Sequence, residues 1–119
     1  MKKAIIVEGK TDKEHLLKVL AEPVDIICTY GTKNVDDLER LIDEKKYAEV
    51  YVLFDADQAG NELRRSIKQL FPSFRHLYTK KMYKEVASTP LEEIVRILNN
   101  AHFELKDDID IFYWLVSFK

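Results

Sequence analysis

Two acidic groups in this chain sit where they could do chemistry. Glu8 directly follows the apolar run Ala4-Ile5-Ile6-Val7, and Asp55-Ala56-Asp57 directly follows Glu49-Val50-Tyr51-Val52-Leu53-Phe54. Carboxylates brought together repel, raise one another's pKa and cost stability unless a cation neutralises them. An all-oxygen donor set suits Mg²⁺ or Mn²⁺, which take a few carboxylates and complete their shell with water and substrate phosphate. Zinc is a poor fit, because Cys28 is the only cysteine and His15, His76 and His102 are scattered. Gly9 and Gly60 would let backbone come close to a phosphate without a β-carbon in the way. Taken singly, each residue also has a plainer role: Glu8 as a loop carboxylate, Asp12 as a helix-start residue, Asp55 or Asp57 as a helix cap, Gly31 as a turn.

What brings these residues together is an alternation of strand and helix. Lys3 to Val7 reads as a buried strand, followed by a helix with Leu16, Leu17 and Leu20 on one face, opened by a Thr11/Glu14 capping box and closed at Pro23. Val24 to Tyr30 is a second strand, and Gly31 to Asn34 a turn. An acidic helix spans about Val35 to Tyr47 with Leu38, Leu41 and Ile42 inward, and Glu49 to Phe54 is a third strand. A loop over Asp55 to Gly60 leads to a helix from about Gly60 to Phe71, then a fourth strand from Phe74 to Thr79. Thr89-Pro90-Leu91-Glu92 starts a last helix, and Ile109 to Phe118 is an aromatic-rich segment compatible with helix or strand. The expected fold class is α/β: a single compact Rossmann-like domain, with a mainly parallel four-stranded sheet and helices on both faces. Its core spans about 3–80, with a helical or mixed extension over 88–119. In such sheets ligands bind beyond the carboxyl ends of the strands, where Glu8, Gly31 and Asp55 all fall.

Composition bounds the rest. The chain has 119 residues, 46% of them hydrophobic, enough for one domain with a core. No run approaches a membrane span, and Glu8 cuts short the apolar start, so a soluble, cytoplasmic protein is expected. Net charge is −2, but unevenly spread. Residues 63–84 carry Arg64, Arg65, Lys68, Arg75, Lys80, Lys81 and Lys84 with no acid, between acidic flanks. Such a block is the sequence form of a face that binds a polyanion.

Val7-Glu8-Gly9-Lys10-Thr11-Asp12, Tyr30-Gly31-Thr32 and Phe54-Asp55-Ala56-Asp57-Gln58-Ala59-Gly60 together resemble the Toprim domain. That domain is shared by DnaG-type primases, type IA and type II topoisomerases, OLD-family nucleases, RecR-type repair proteins and the ribonuclease that matures 5S ribosomal RNA. The resemblance implies that Asp55 and Asp57 bind metal, that Glu8 is the catalytic carboxylate and also touches metal, and that Asp12 is a further metal candidate. Ala59 stands where many topoisomerases have a third Asp, which sets this chain nearer to primases and small nucleases. Gly60-Asn61-Glu62-Leu63-Arg64 and Lys84-Glu85-Val86-Ala87 are most similar to the 5S-rRNA-maturing ribonuclease.

The resemblance therefore implies Mg²⁺- or Mn²⁺-dependent phosphodiester chemistry on RNA or DNA, as a small ribonuclease-like nuclease. Lys10, Arg64, Arg65, Lys68, Lys80, Lys81 and Lys84 would hold nucleic acid, with Gly9, Gly31 and Gly60 at points of phosphate approach and Tyr83 placed to stack on a base. An autonomous topoisomerase or primase is not expected, since their other modules are missing. The alternative is a non-catalytic Toprim module that binds nucleic acid or a partner within a repair or RNA-processing complex, alone or as a homo-oligomer.

Overall fold

The structure, a computed structural model, describes residues 1–106; the aromatic segment expected over Ile109 to Phe118 lies outside them. Four strands, β1 (Lys2–Val7), β2 (Val24–Cys28), β3 (Tyr47–Leu53) and β4 (Arg75–Leu77), alternate with helices α1 (Lys10–Leu17), α2 (Val35–Leu41) and α3 (Gln58–Leu70). A last helix, α4 (Leu91–Asn100), follows β4. All pairings are parallel, in the order β2-β1-β3-β4. Register is set by apolar pairs such as Ile6 with Ile27 on one side and Val52 on the other.

The central strands are apolar on both faces because both faces are covered. Side chains alternate along a strand, so Ile5 and Val7 of β1 and Tyr51 and Leu53 of β3 point to one layer, with Leu16, Val86, Ile94 and Leu98. Ala4 and Ile6 point to the other, with Val50, Val52, Phe54, Leu38, Leu63 and Ile67. Fully burying one such Ile or Leu contributes about 1.5–3 kcal/mol. Since α4 supplies Ile94, Val95 and Leu98 to the first layer, residues beyond 80 complete the core.

Several local expectations are corrected. Helix α1 starts at Lys10 with Gly9 as its N-cap residue, and the acid reaching back is Asp12, whose Oδ2 accepts from Gly9 N at 3.1 Å; Thr11 and Glu14 do not form the box. Leu17 is exposed, while Val19 and Leu20 enter the core just past the helix end. Helix α2 stops at Leu41, because Ile42 turns extended to bury itself and leaves Leu41 outside. Helix α3 begins two residues before Gly60, capped by Asp57. No described helix is long and apolar enough to cross a membrane.

Candidate functional site

The chain leaves β1 and β3 in opposite directions across the sheet, α1 leading to β2 and α3 to β4. The carboxyl ends of these two neighbours therefore border the crevice where open α/β sheets bind ligands. Glu8 follows β1 and is half-buried; its Oε1 accepts the backbone N–H of Asp55 at 2.6 Å, tying the two strand ends together. Asp55 Oδ1 accepts from Val86 N at 2.8 Å, and Ala56 N donates to the Lys84 carbonyl at 2.6 Å. Asp57 is exposed and caps α3, its Oδ1 accepting from Gly60 N at 2.7 Å. Asp12 is buried beside them.

Each hydrogen bond fixes one oxygen of its carboxylate. Among the described residues, Oε2 of Glu8 and Oδ2 of Asp55 and Asp57 accept none, and no Lys or Arg pairs with any of the four acids. Burial pushes the Glu8 carboxyl above its ordinary pKa; the Asp55 N–H opposes this, and the charges of Asp55, Asp57 and Asp12 add to it. Burial also raises Asp55, opposed by Val86 N–H and helped by Asp12, Asp57 and Glu85. Asp12 is raised by burial first, against backbone N–H donors from Gly9 and Glu8. Glu85, which acts on both Asp12 and Asp55, stands in the quoted stretch Lys84-Glu85-Val86-Ala87 but was not expected at the acidic edge; it lies 30 residues beyond Asp55 and 73 beyond Asp12 in the chain.

The residues fit a divalent cation. Their donors are all oxygen, and among the described residues the like charges of these acids raise the carboxyls of Glu8 and Asp55 with no ion pair to offset them. Among the described residues no three acid, imidazole or thiolate groups converge into a ready-made cage. Mg²⁺ and Mn²⁺ suit that situation, binding through one or two carboxylates and taking the rest of their shell from water and phosphate.

Beside this edge lies a basic groove. A cavity of about 500 Å³ opens at Ala56, walled by Asn61, Arg64, Tyr78, Lys81 and Lys84. A second, of about 280 Å³, shares Asn61, Arg64 and Tyr78 and adds Arg65 and Lys68. A third, of about 330 Å³, sits at the opposite edge of the sheet around Tyr47, Glu49 and Arg75, remote from the acids.

The Toprim domain model matches residues 3–89, which takes in every acid of this edge and the loop that closes it. The chain belongs to the Toprim family. It is 44% identical to the uncharacterized protein YusF of Bacillus subtilis (strain 168), over 88% of this chain and 72% of that one. It is 26% identical to ribonuclease M5 of Fusobacterium nucleatum and 29% to that of Bacillus subtilis (strain 168). It spans 64% and 61% of those two ribonucleases' lengths. A small TOPRIM domain protein from Bacillus stearothermophilus superposes with a TM-score of 0.83 at 44% identity, over 89% of this chain and 90% of that one. Toprim domains generally bind divalent metal ions.

The structure sorts the basic candidates of this Toprim domain. Arg65, Lys68, Lys81 and Lys84 line the groove. Lys80 is drawn to α4 by Glu93 at 3.5 Å, and Lys10 lies 3.9 Å from Glu14 on α1. Arg64 reaches the groove but is buried: Nη2 donates to the carbonyls of Leu77 at 2.6 Å and Phe54 at 3.4 Å, and Nη1 lies 3.1 Å from His76 Nδ1. Desolvation lowers its pKa. The spacing 60, 63, 64, 67 marks this buried stripe of α3, a signal outweighed by the charge of the block.

The glycines divide too. A β-carbon on Gly60 would sit 2.1 Å from the Asp55 carbonyl oxygen, so the close approach that Gly60 permits is of helix to acidic loop. A β-carbon on Gly9 would meet nothing within 4 Å, and Gly31 takes φ +79° in the turn after β2.

Proposed function

We propose that this Toprim protein cleaves phosphodiester bonds of nucleic acid in a divalent-metal-dependent reaction, as a small ribonuclease-like nuclease. The observation that carries the reading is the Glu8–Asp55 link: a half-buried carboxylate, raised in pKa, held by the neighbouring strand end at the sheet's ligand-binding crevice. Asp55 and Asp57 would hold Mg²⁺ or Mn²⁺, with Glu8 and Asp12 adjoining. Bound there, such an ion supplies charge neutralisation at a phosphate and orientation of the attacking oxygen. Glu8, with one oxygen fixed and one free, is the group placed to take and return a proton. Arg65, Lys68, Lys81 and Lys84 hold flanking phosphates by charge, so binding weakens steeply with salt. Similarity to two ribonucleases M5 favours RNA as the substrate.

The test is a cleavage assay with Mg²⁺ or Mn²⁺ on end-labelled single- and double-stranded RNA and DNA, comparing wild type with Asp55→Asn and Glu8→Gln. Cleavage by the wild type and its loss in both variants supports the proposal. Equal cleavage by all three refutes the site. A salt-sensitive gel shift without cleavage refutes the enzyme and leaves a binding module.

A further inference from the structure

We infer that the groove along α3 takes a single-stranded segment of nucleic acid, with one nucleobase lying on Tyr78. The inference rests on the nucleic-acid reading above but not on cleavage. The two cavities share Asn61, Arg64 and Tyr78, so they form one path. That path runs from Ala56, between the two aspartates, to Lys68, and the stretch of α3 from Asn61 to Lys68 is about 10 Å long. Tyr78 stands midway. It follows the end of β4 and is itself 55% exposed, and the Arg64 guanidinium lies 4.2 Å from its ring centroid. Arg64 is itself pinned by the Leu77 and Phe54 carbonyls, so the ring rests on a fixed support.

Cations flank the ring on both sides: Lys81 and Lys84 toward the acids, Arg65 and Lys68 away from them. Among the described residues none of these four is in an ion pair. The wall also holds Thr79, whose buried hydroxyl has no partner there. An exposed ring between unpaired cations matches a backbone whose successive phosphates straddle a splayed base. A duplex cannot use the ring, because its bases are paired and stacked on one another. Of the aromatics near the basic block, Tyr78 therefore takes the stacking role first expected of Tyr83, which lines neither cavity.

Fluorescence anisotropy in EDTA, with labelled oligo(U), oligo(dT) and a blunt G·C-rich hairpin, tests this directly. Both single strands are expected to bind more tightly than the hairpin. Tyr78→Ala should weaken single-strand binding about tenfold or more, through lost stacking, while Tyr78→Phe stays within about twofold of wild type. The salt slope should be unchanged in Tyr78→Ala and fall by about 0.7 in Lys84→Gln. Tyr78→Leu keeps an apolar contact on Arg64 without an aromatic face, and should lose as much as Tyr78→Ala. Single-strand affinity retained in Tyr78→Leu, or a hairpin bound as tightly as oligo(U), overturns the inference. Loss of the Tyr78 effect with cleavage intact would sink only the groove, and binding without cleavage only the nuclease.

Discussion

Lys84 carries its charge on a strained backbone, and the two roles separate in a pair of variants. Its φ of 54° and ψ of −63° place it at the centre of a γ-turn, closed by Glu85 N–H donating to the Tyr83 carbonyl at 2.6 Å. That conformation is rare for a residue with a β-carbon and costs of order 1–3 kcal/mol. The turn is held because it sets the Lys84 carbonyl on Ala56 N and Val86 N on the Asp55 carboxylate. Lys84→Ala keeps the strain and loses the charge; Lys84→Gly loses both. Against the relief stands glycine's larger unfolded-state entropy, about 0.5–1 kcal/mol relative to alanine. Lys84→Gly is therefore expected to exceed Lys84→Ala in stability by about 1 kcal/mol, or about 4 °C in Tm for a domain of this size. Thermal and urea unfolding measure the gap, while binding to oligo(U) should fall equally in both variants. A glycine variant melting at or below the alanine variant would refute the strain argument.

Gly60→Ala forces a β-carbon into the space 2.1 Å from the Asp55 carbonyl; it should cost about 1–3 kcal/mol and abolish cleavage in protein that still folds, read by melting and activity together. Arg64→Lys, which cannot reproduce the donations to Leu77 and Phe54, should lower unfolding stability by about 2 kcal/mol, and a neutral result in urea would contradict its anchoring role. His76 is pushed down to about 4, first by burial and then by the charges of Arg64 and Lys68. The unfolded chain protonates it near 6.5, so its contribution is intact above that pH and is lost as pH falls toward 4, by about 2 kcal/mol. Wild type minus His76→Gln, followed by urea unfolding across this window, should show that loss; a flat difference would count against it.

Much of the fold is legible because β1 and β3 need both faces apolar, a demand that the runs Ala4 to Val7 and Val50 to Phe54 meet without ambiguity. The acidic edge is legible for the same reason: Glu8 and Asp55 are the first polar residues after those runs, so strand ends and acids are found together. What fails is governed by tertiary contact. Leu38, Leu41 and Ile42 fit a continuing helix, yet the core takes Ile42 through extended backbone. Arg64 reads as a surface cation until the Leu77 carbonyl, thirteen residues on, claims it. Glu85 and Val86 enter the site only because the loop after β4 folds back over Asp55, which no local spacing encodes.

The strand order also has a consequence for how the chain is made. β1 is synthesised first but ends in the middle of the sheet, and β2 can cover only one of its edges. Its other edge waits for β3, which begins at Tyr47. Until β3 emerges, Ala4 to Val7 present unpaired backbone and apolar side chains together, the combination that recruits other chains. The last ties at the acidic edge wait longer, since Val86 must arrive before Asp55 is held. On the ribosome this protein is thus most exposed to aggregation early, and the Asp55 carboxylate is held in place only after the loop beyond β4 has been made.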